Sequence, residues 1–157
     1  MTEKFRGRFT VSVDSKGRIS WPSKWRQSSL LKNEIVVTNS FYKGLPFLDV
    51  YSLSKWQSLE KKIDQLPELK PEVQSFQRFF LSGGTPTEID GQGRSLLPYE
   101  LRHFAKLKSE VVLVGMGDRF EIWDARLWSK VFSEFKDDFE SVMQKVADFV
   151  DASRGED

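Results

Sequence analysis

Between residues 5 and 13 the chain alternates, with Phe5, Phe9, Val11 and Val13 apolar against Arg6, Arg8, Thr10 and Ser12. A period of two describes a half-buried strand, here with a basic outer face. Asp14-Ser15-Lys16-Gly17 is turn chemistry, because Asp bonds the backbone two residues on and Gly accepts positive φ. Residues 19–21 resume the strand, and Pro22 opens a short helix at its first position, where the missing N–H costs nothing. Trp25 points inward from that helix. Residues 34–38 form a short β-prone strand, 41–46 a loop, and 47–51 another strand. A helix capped by Ser52 or Ser54 carries Trp56, Leu59, Ile63 and Leu66 at helical spacing and ends at Pro67. A second helix from about Pro71 places Val73, Phe76, Phe79 and Phe80 on one side and stops at Gly83-Gly84.

The same order then returns. Asp14-Ser15-Lys16-Gly17-Arg18-Ile19-Ser20-Trp21-Pro22 and Asp90-Gly91-Gln92-Gly93-Arg94-Ser95-Leu96-Leu97-Pro98 both read Asp-x-x-Gly-Arg-x-x-x-Pro, 76 positions apart. Each is followed, four residues after its Pro, by an Arg (Arg26, Arg102). Residues 111–114 match 35–38, and 120–123 match 48–51, so the first copy has a loop four residues longer. A repeat of this length in one register indicates duplication. The predicted organisation is α+β: a first repeat over 5–53, linking helices over 54–80, a second repeat over 81–126, and a C-terminal amphipathic helix and tail over 127–157. The two prolines within 65–72 make that segment the candidate boundary between halves. The last helix runs from an N-cap at Asp124 to about Val150. Trp128, Phe132, Phe135, Phe139, Val142, Val146 and Phe149 form a heptad seam along it. That seam can pack on its own chain, and its later turns, beyond the repeat unit, suit packing against another subunit.

Composition changes the picture little. At 157 residues, 30% charged and 39% apolar, the chain has an ordinary globular make-up. The absence of cysteine excludes disulfides, thiolate metal sites and a Cys nucleophile, and is compatible with a cytoplasmic setting. No stretch approaches 18 apolar residues, and no apolar region follows the basic N-terminal residues, so neither a membrane span nor a signal peptide is expected. Charge is more telling. The net +1 conceals a first segment (1–32) of net +6 and a last one (117–157) of net −5. Such asymmetry suits an anionic partner met by one face.

Candidate catalytic chemistry is thin. The one histidine, His103, lies on the short helix after Pro98 with no partner at catalytic spacing. No cluster has metal-ligand spacing, and Gly91-Gln92-Gly93 is only a fragment of a dinucleotide fingerprint that precedes a strand. No enzyme activity, metal, cofactor or small-molecule substrate is expected. The Asp-x-x-x-Arg pairs read instead as turn locks, with Asp capping the turn and Arg lying across it. The copies differ in their basic neighbours. Lys16 stands beside Arg18, with Arg6, Arg8 and Lys24 nearby in sequence, whereas the second copy has neutral Gln92 and the uncharged run 83–87. The first turn is therefore the expected DNA contact, through Arg18, Lys16, Arg6, Arg8 and Lys24. In the structural lock, Asp14 and Gly17 serve the first turn, and Asp90, Gly93 and Arg94 the second.

Several runs resemble the MraZ family of bacterial transcriptional regulators. They are Phe5-Arg6-Gly7, Val13 to Ile19, Pro22, Gln77-Arg78-Phe79, Ser82-Gly83, Asp90 to Arg94, Leu96-Leu97-Pro98, Leu101-Arg102, Val111 to Gly115 and Arg119 to Trp123. The likeness spans about residues 5–130. It implies an AbrB-like fold, a duplicated swapped-hairpin β-barrel of pseudo-twofold double-split βαβ form. It also implies binding to short G-rich direct repeats upstream of the division and cell wall gene cluster, own operon included, and ring-shaped homo-oligomers in the cytoplasm on the nucleoid. The DNA-reading motif falls on Asp14 to Arg18, with Arg18 the principal contact. Ser95 departs from the aliphatic residue usual after Gly-Arg, which puts close packing there in question. The other reading left open by the residues is a non-enzymatic oligomeric scaffold using the same fold without nucleic acid.

Overall fold

The computed structural model describes residues 3–32 and 34–155. The initial alternation forms β1 (Arg8–Ser12), and the turn at Asp14 leads into β2 (Arg18–Ser20). Then come α1 (Ser23–Arg26), β3 (Glu34–Tyr42), β4 (Leu45–Ser52) and α2 (Leu53–Asp64). After α3 (Pro71–Phe76), which continues as a π-helical turn (Gln77–Leu81), the order repeats. It gives β5 (Thr85–Glu88), β6 (Arg94–Leu96), α4 (Tyr99–Phe104), β7 (Glu110–Gly115) and β8 (Arg119–Asp124). The long α5 (Ala125–Arg154) follows. The described residues fall into two compact units divided between Ala125 and Arg126.

Within the first unit the repeats interlock. Six strands form one antiparallel sheet in the order β1-β7-β8-β4-β3-β5, and β2 pairs with β6 as a separate antiparallel ribbon. Strand β1 of the first repeat joins the second repeat's hairpin, from Arg8↔Val114 to Ser12↔Glu110. Reciprocally, β5 joins the first hairpin, from Glu34↔Glu88 to Val37↔Thr85. Neither repeat completes its own sheet, so the sequence boundary at residues 65–72 has no counterpart as a division in space.

Three local expectations need correction. Residues 41–46 are not a loop: β3 runs to Tyr42 and β4 starts at Leu45, leaving Lys43-Gly44 as a two-residue turn. Both turn residues have positive φ (47° and 79°), the requirement of a tight hairpin whose twist matches its strands. The four extra residues thus lengthen the hairpin arms. Pro46 is tolerated because pairing of β4 with β8 begins only at Leu48, so its missing N–H faces no strand on that side. Pro22 and Pro98 sit at the N-caps, with extended ψ of 139° and 136°, one position before their helices. Finally, the π-helical turn rotates the aromatic row: Phe80 is buried, while Phe79 swings out to stack on Phe41 at 5.3 Å.

The main core lies between the sheet and the ribbon. Ile19, Trp21, Trp25 and Leu97 meet Ile35, Val37, Leu48, Val50, Leu113, Phe120 and Ile122 there. Phe5, Trp25 and Phe120 form an aromatic triangle with centroids 4.7–5.2 Å apart. Each such side chain contributes about 1.5–3 kcal/mol by leaving water. The opposite sheet face carries a smaller cluster, Val36, Tyr51, Trp56 and Phe80, which seats α2. Ser52 caps α2, its hydroxyl accepting from Lys55 N–H at 3.3 Å.

The second unit is the remainder of α5. Along its stripe, Trp128 packs on Phe132 and Phe135 at 5.8 and 6.2 Å. Further on, Phe139, Val142, Val146 and Phe149 are all half exposed or more.

Candidate nucleic-acid interface

The two turns share one hydrogen-bonding scheme. In the first, Gly17 N–H donates to Asp14 C=O (2.9 Å) and Asp14 N–H to Arg18 C=O (3.0 Å). Asp14 Oδ1 accepts from the backbone N–H of Lys16 (2.9 Å) and of Arg18 (2.8 Å), while Oδ2 accepts from Arg18 Nε at 2.8 Å. In the second, Asp90 Oδ1 accepts from Gln92 N–H (2.8 Å) and Arg94 N–H (3.0 Å), and Oδ2 from Arg94 Nε at a looser 3.3 Å. These bonds favour the charged carboxylates. Asp14 is held down to about 2, chiefly by the Arg18 backbone N–H and then by its side chain, and Asp90 is lowered chiefly by the Arg94 N–H. Each Asp takes its arginine through Nε, so both Nη groups remain for another acceptor.

The β2–β6 ribbon holds the turns side by side. Its register is Arg18↔Leu96, Ile19↔Ser95 and Ser20↔Arg94. Ile19 and Ser95 are buried, so alternation places Arg18, Ser20, Arg94 and Leu96 on the outward face. The ends are tied reciprocally: Trp21 N–H donates to Gly93 C=O (3.1 Å) and Leu97 N–H to Gly17 C=O (2.9 Å). Ser95 is only 1% exposed, and its hydroxyl accepts from Trp21 Nε1 at 2.9 Å. Its departure from an aliphatic residue therefore serves close packing, since a small acceptor is what the Trp21 indole meets.

Arg26 and Arg102 stand at equal offsets in the two copies, with no task evident from the sequence. Each lies across the other repeat's turn. A Cβ on Gly17 would stand 2.6 Å from Arg102 Nε, and one on Gly93 would stand 2.5 Å from Arg26 Nη1. Both glycines also have positive φ, 87° and 75°. Arg102 Nε further donates to Leu97 C=O at 2.9 Å. The signal was present in the sequence as an equal offset in both copies, but only the crossing of the repeats shows what the arginines touch.

The predicted contact residues do not all gather in one place. Arg18 lies on the outward ribbon face and exposed Lys16 on its turn. Arg6 and Lys24, with Lys4, line a separate depression of about 420 Å³ floored by Phe9 and Trp25. Arg8 belongs with neither group: Phe9 and Val11 pack on the main core, so alternation puts Arg8 on the opposite face of β1. The second repeat has its own depression, about 520 Å³, in which Ser82 and Glu100 occupy the places of Arg6 and Lys24. His103 is exposed and stacks on Tyr99 at 5.9 Å.

A charge cluster around the buried Asp49 has no signal in the sequence. Arg119 pairs with Asp49 and, at 3.1 Å, with Glu121, which also accepts from Trp123 Nε1 at 2.9 Å. Burial raises Asp49 to about 7 against the pull of Arg119. One guanidinium serves two carboxylates there, on the strand face away from the ribbon. Alternating strands disguise such a cluster as three ordinary surface charges. Among the described residues, no group of three or more His, Asp or Glu could hold a metal ion, and no helix is long and apolar enough to cross a membrane.

The fold and its paired turns define a duplicated α+β chain built on interlocked Asp-x-x-Gly-Arg repeats. The profile of the MraZ protein family matches it twice, over residues 4–79 and 80–150, and the chain belongs to that family. Three relatives, each bearing the name Transcriptional regulator MraZ, align almost end to end. That of Natranaerobius thermophilus is 40% identical over 92% of this chain and 98% of its own length. That of Moorella thermoacetica is 39% identical over the same shares, and that of Leuconostoc mesenteroides 34%, again over 92% and 98%.

Proposed function

We propose that this chain is a sequence-specific DNA-binding transcriptional regulator that touches DNA through its first Asp-x-x-Gly-Arg turn. One observation carries the reading: Asp14 fixes Arg18 through Nε and leaves the Nη fork facing solvent on an exposed ribbon. A guanidinium so positioned can give paired hydrogen bonds to guanine O6 and N7. Lys16 beside it and Arg26 and Arg102 flanking the turns supply phosphate contacts. The shared name of the relatives points the same way.

Membership of the family extends the proposal. The DNA is a set of short G-rich direct repeats upstream of the division and cell wall gene cluster, own operon included, and the protein acts on the nucleoid in the cytoplasm. The fold is an AbrB-like swapped-hairpin barrel, supported by the exchange of β1 and β5 between repeats. Subunits form a ring, so that successive turns meet successive repeats with a gain in effective concentration. The exposed stripe from Phe139 to Phe149 suits a contact between subunits. The same stripe favours the second reading, a non-enzymatic oligomeric scaffold that uses no nucleic acid.

Footprinting on DNA upstream of the gene, followed by titration of that site, separates them. Arg18→Ala should weaken specific binding by about 5- to 150-fold, the worth of one bidentate base contact. Lys16→Ala should weaken all sequences alike and lower the salt slope by about 1. Arg18→Ala binding as tightly as the parent would sink the first-turn assignment. No binding by the parent at low salt would leave the scaffold. Truncation after residue 138 should lower the number of subunits per particle in solution, and an unchanged number would remove the later turns of α5 from any subunit contact.

A further inference from the structure

The second turn shares the ribbon's outward face with the first, a fact not visible in the charge count. Arg18 and Arg94 are diagonal neighbours across β2 and β6, since Arg18 faces Leu96 and Arg94 faces Ser20. Diagonal neighbours on an antiparallel pair stand about 7–8 Å apart, close to two base steps of about 3.4 Å. A two-stranded ribbon fits the major groove, where those base edges lie. Both arginines are held through Nε by their own Asp, and both keep a partly exposed side chain, 34% and 29%.

Symmetry then raises a question that the residues answer. Rotation by the internal twofold exchanges the turns, so a ribbon with identical halves would read a site equally well in either direction. Direct repeats have one direction. The turn tips differ by Lys16 against Gln92, but the lysine charge meets phosphate and not a base edge. Along the ribbon strands themselves the outward symmetry is broken at Ser20 in β2 against Leu96 in β6. Leu96 is 56% exposed, an apolar side chain directly opposite Arg18 on a strand that otherwise presents charge. The chemistry that such a side chain recognises in the major groove is the thymine 5-methyl group.

We propose that the β2–β6 ribbon reads bases with both arginines, and that Leu96, seated on a thymine methyl beside the guanine taken by Arg18, gives this pseudo-twofold reader its direction. This rests on the DNA-binding reading above. Arg94 is then a base contact as well as a turn lock, and the Leu96/Ser20 difference is a specificity element.

The test uses the full chain and its footprinted site in an anisotropy titration. Arg94→Lys keeps the charge and should retain affinity for unrelated DNA while losing roughly tenfold at the site, the bidentate geometry being gone. Replacing thymine by deoxyuracil at each site position in turn should cost the parent about fourfold at one position, the worth of one buried methyl. Leu96→Ser should bind both DNAs alike. Because the methyl is removed from the DNA, that arm is independent of protein folding. If Arg18→Ala loses affinity while Arg94→Lys and every deoxyuracil site bind like the parent, the inference falls and the first-turn reading stands. If Arg18→Ala also binds like the parent, both fall.

Discussion

The two Asp-x-x-Gly-Arg turns have the same backbone bonds and opposite surroundings. The first has Lys16 on its tip and Trp21 beneath it; the second has Gln92 and Leu97. The Asp14–Arg18 contact is 2.8 Å and the Asp90–Arg94 contact 3.3 Å. The depression beside the first repeat is basic, and its counterpart exchanges Lys24 for Glu100. Duplication therefore conserved what the fold needs, the glycine, the capping Asp and the crossing Arg, and released what faces solvent. Division of labour between copies follows from that: a turn can lose a tip charge without harming the lock that holds its partner.

The largest effects should come from the shared features and should strike both copies alike. Gly17→Ala and Gly93→Ala each force a side chain into positive φ and against the opposite repeat's arginine, at a cost of roughly 1–3 kcal/mol. Urea denaturation should return similar losses for the two, and a neutral result at either would show that its crossing arginine is no brace. Next comes the asymmetric core. Ser95→Ala leaves the buried Trp21 Nε1 without its acceptor and should cost about 1–3 kcal/mol. The double variant with Trp21→Phe should lose less than the sum of the two single losses, and strictly additive losses would deny the coupling.

The smallest effect concerns pH. The carboxyl of Asp14 is lowered to about 2 in the folded chain, against an ordinary value near 4. Its stabilising bonds are therefore fully present above about pH 4 and are lost as pH falls through about 2. A carboxyl titration followed by NMR should place the Asp14 midpoint near 2, and a midpoint near 4 would show that Arg18 is not held as described. Asp49 runs the other way: buried and raised to about 7, it is an ionised burden above that pH, not a source of stability.

Much of this was legible in the residues. Strand alternation, the turn chemistry at Asp14 and Asp90, the Ser52 cap and the inward Trp25 all follow from local rules, because each depends on neighbours a few positions away. Residues 41–46 read as a loop in the sequence because a Lys-Gly turn flanked by Phe, Tyr, Leu and Pro shows its hairpin only through the pairing of Phe41 with Pro46 and of Tyr42 with Leu45. Proximity in sequence groups Arg8 with Arg18, whereas strand pairing sends it to the other face of the sheet.

What the chain specifies alone is the duplication and the identity of the turn, since periodicity, glycine, proline and a capping carboxylate act over short range. Which repeat completes which sheet is a matter of long-range pairing. Only there do Arg18 and Arg94 come to one face, Arg26 and Arg102 cross to the opposite turns, and Ser95 receive the Trp21 indole. Those contacts join residues some 70 positions apart, and no local preference of either partner encodes them.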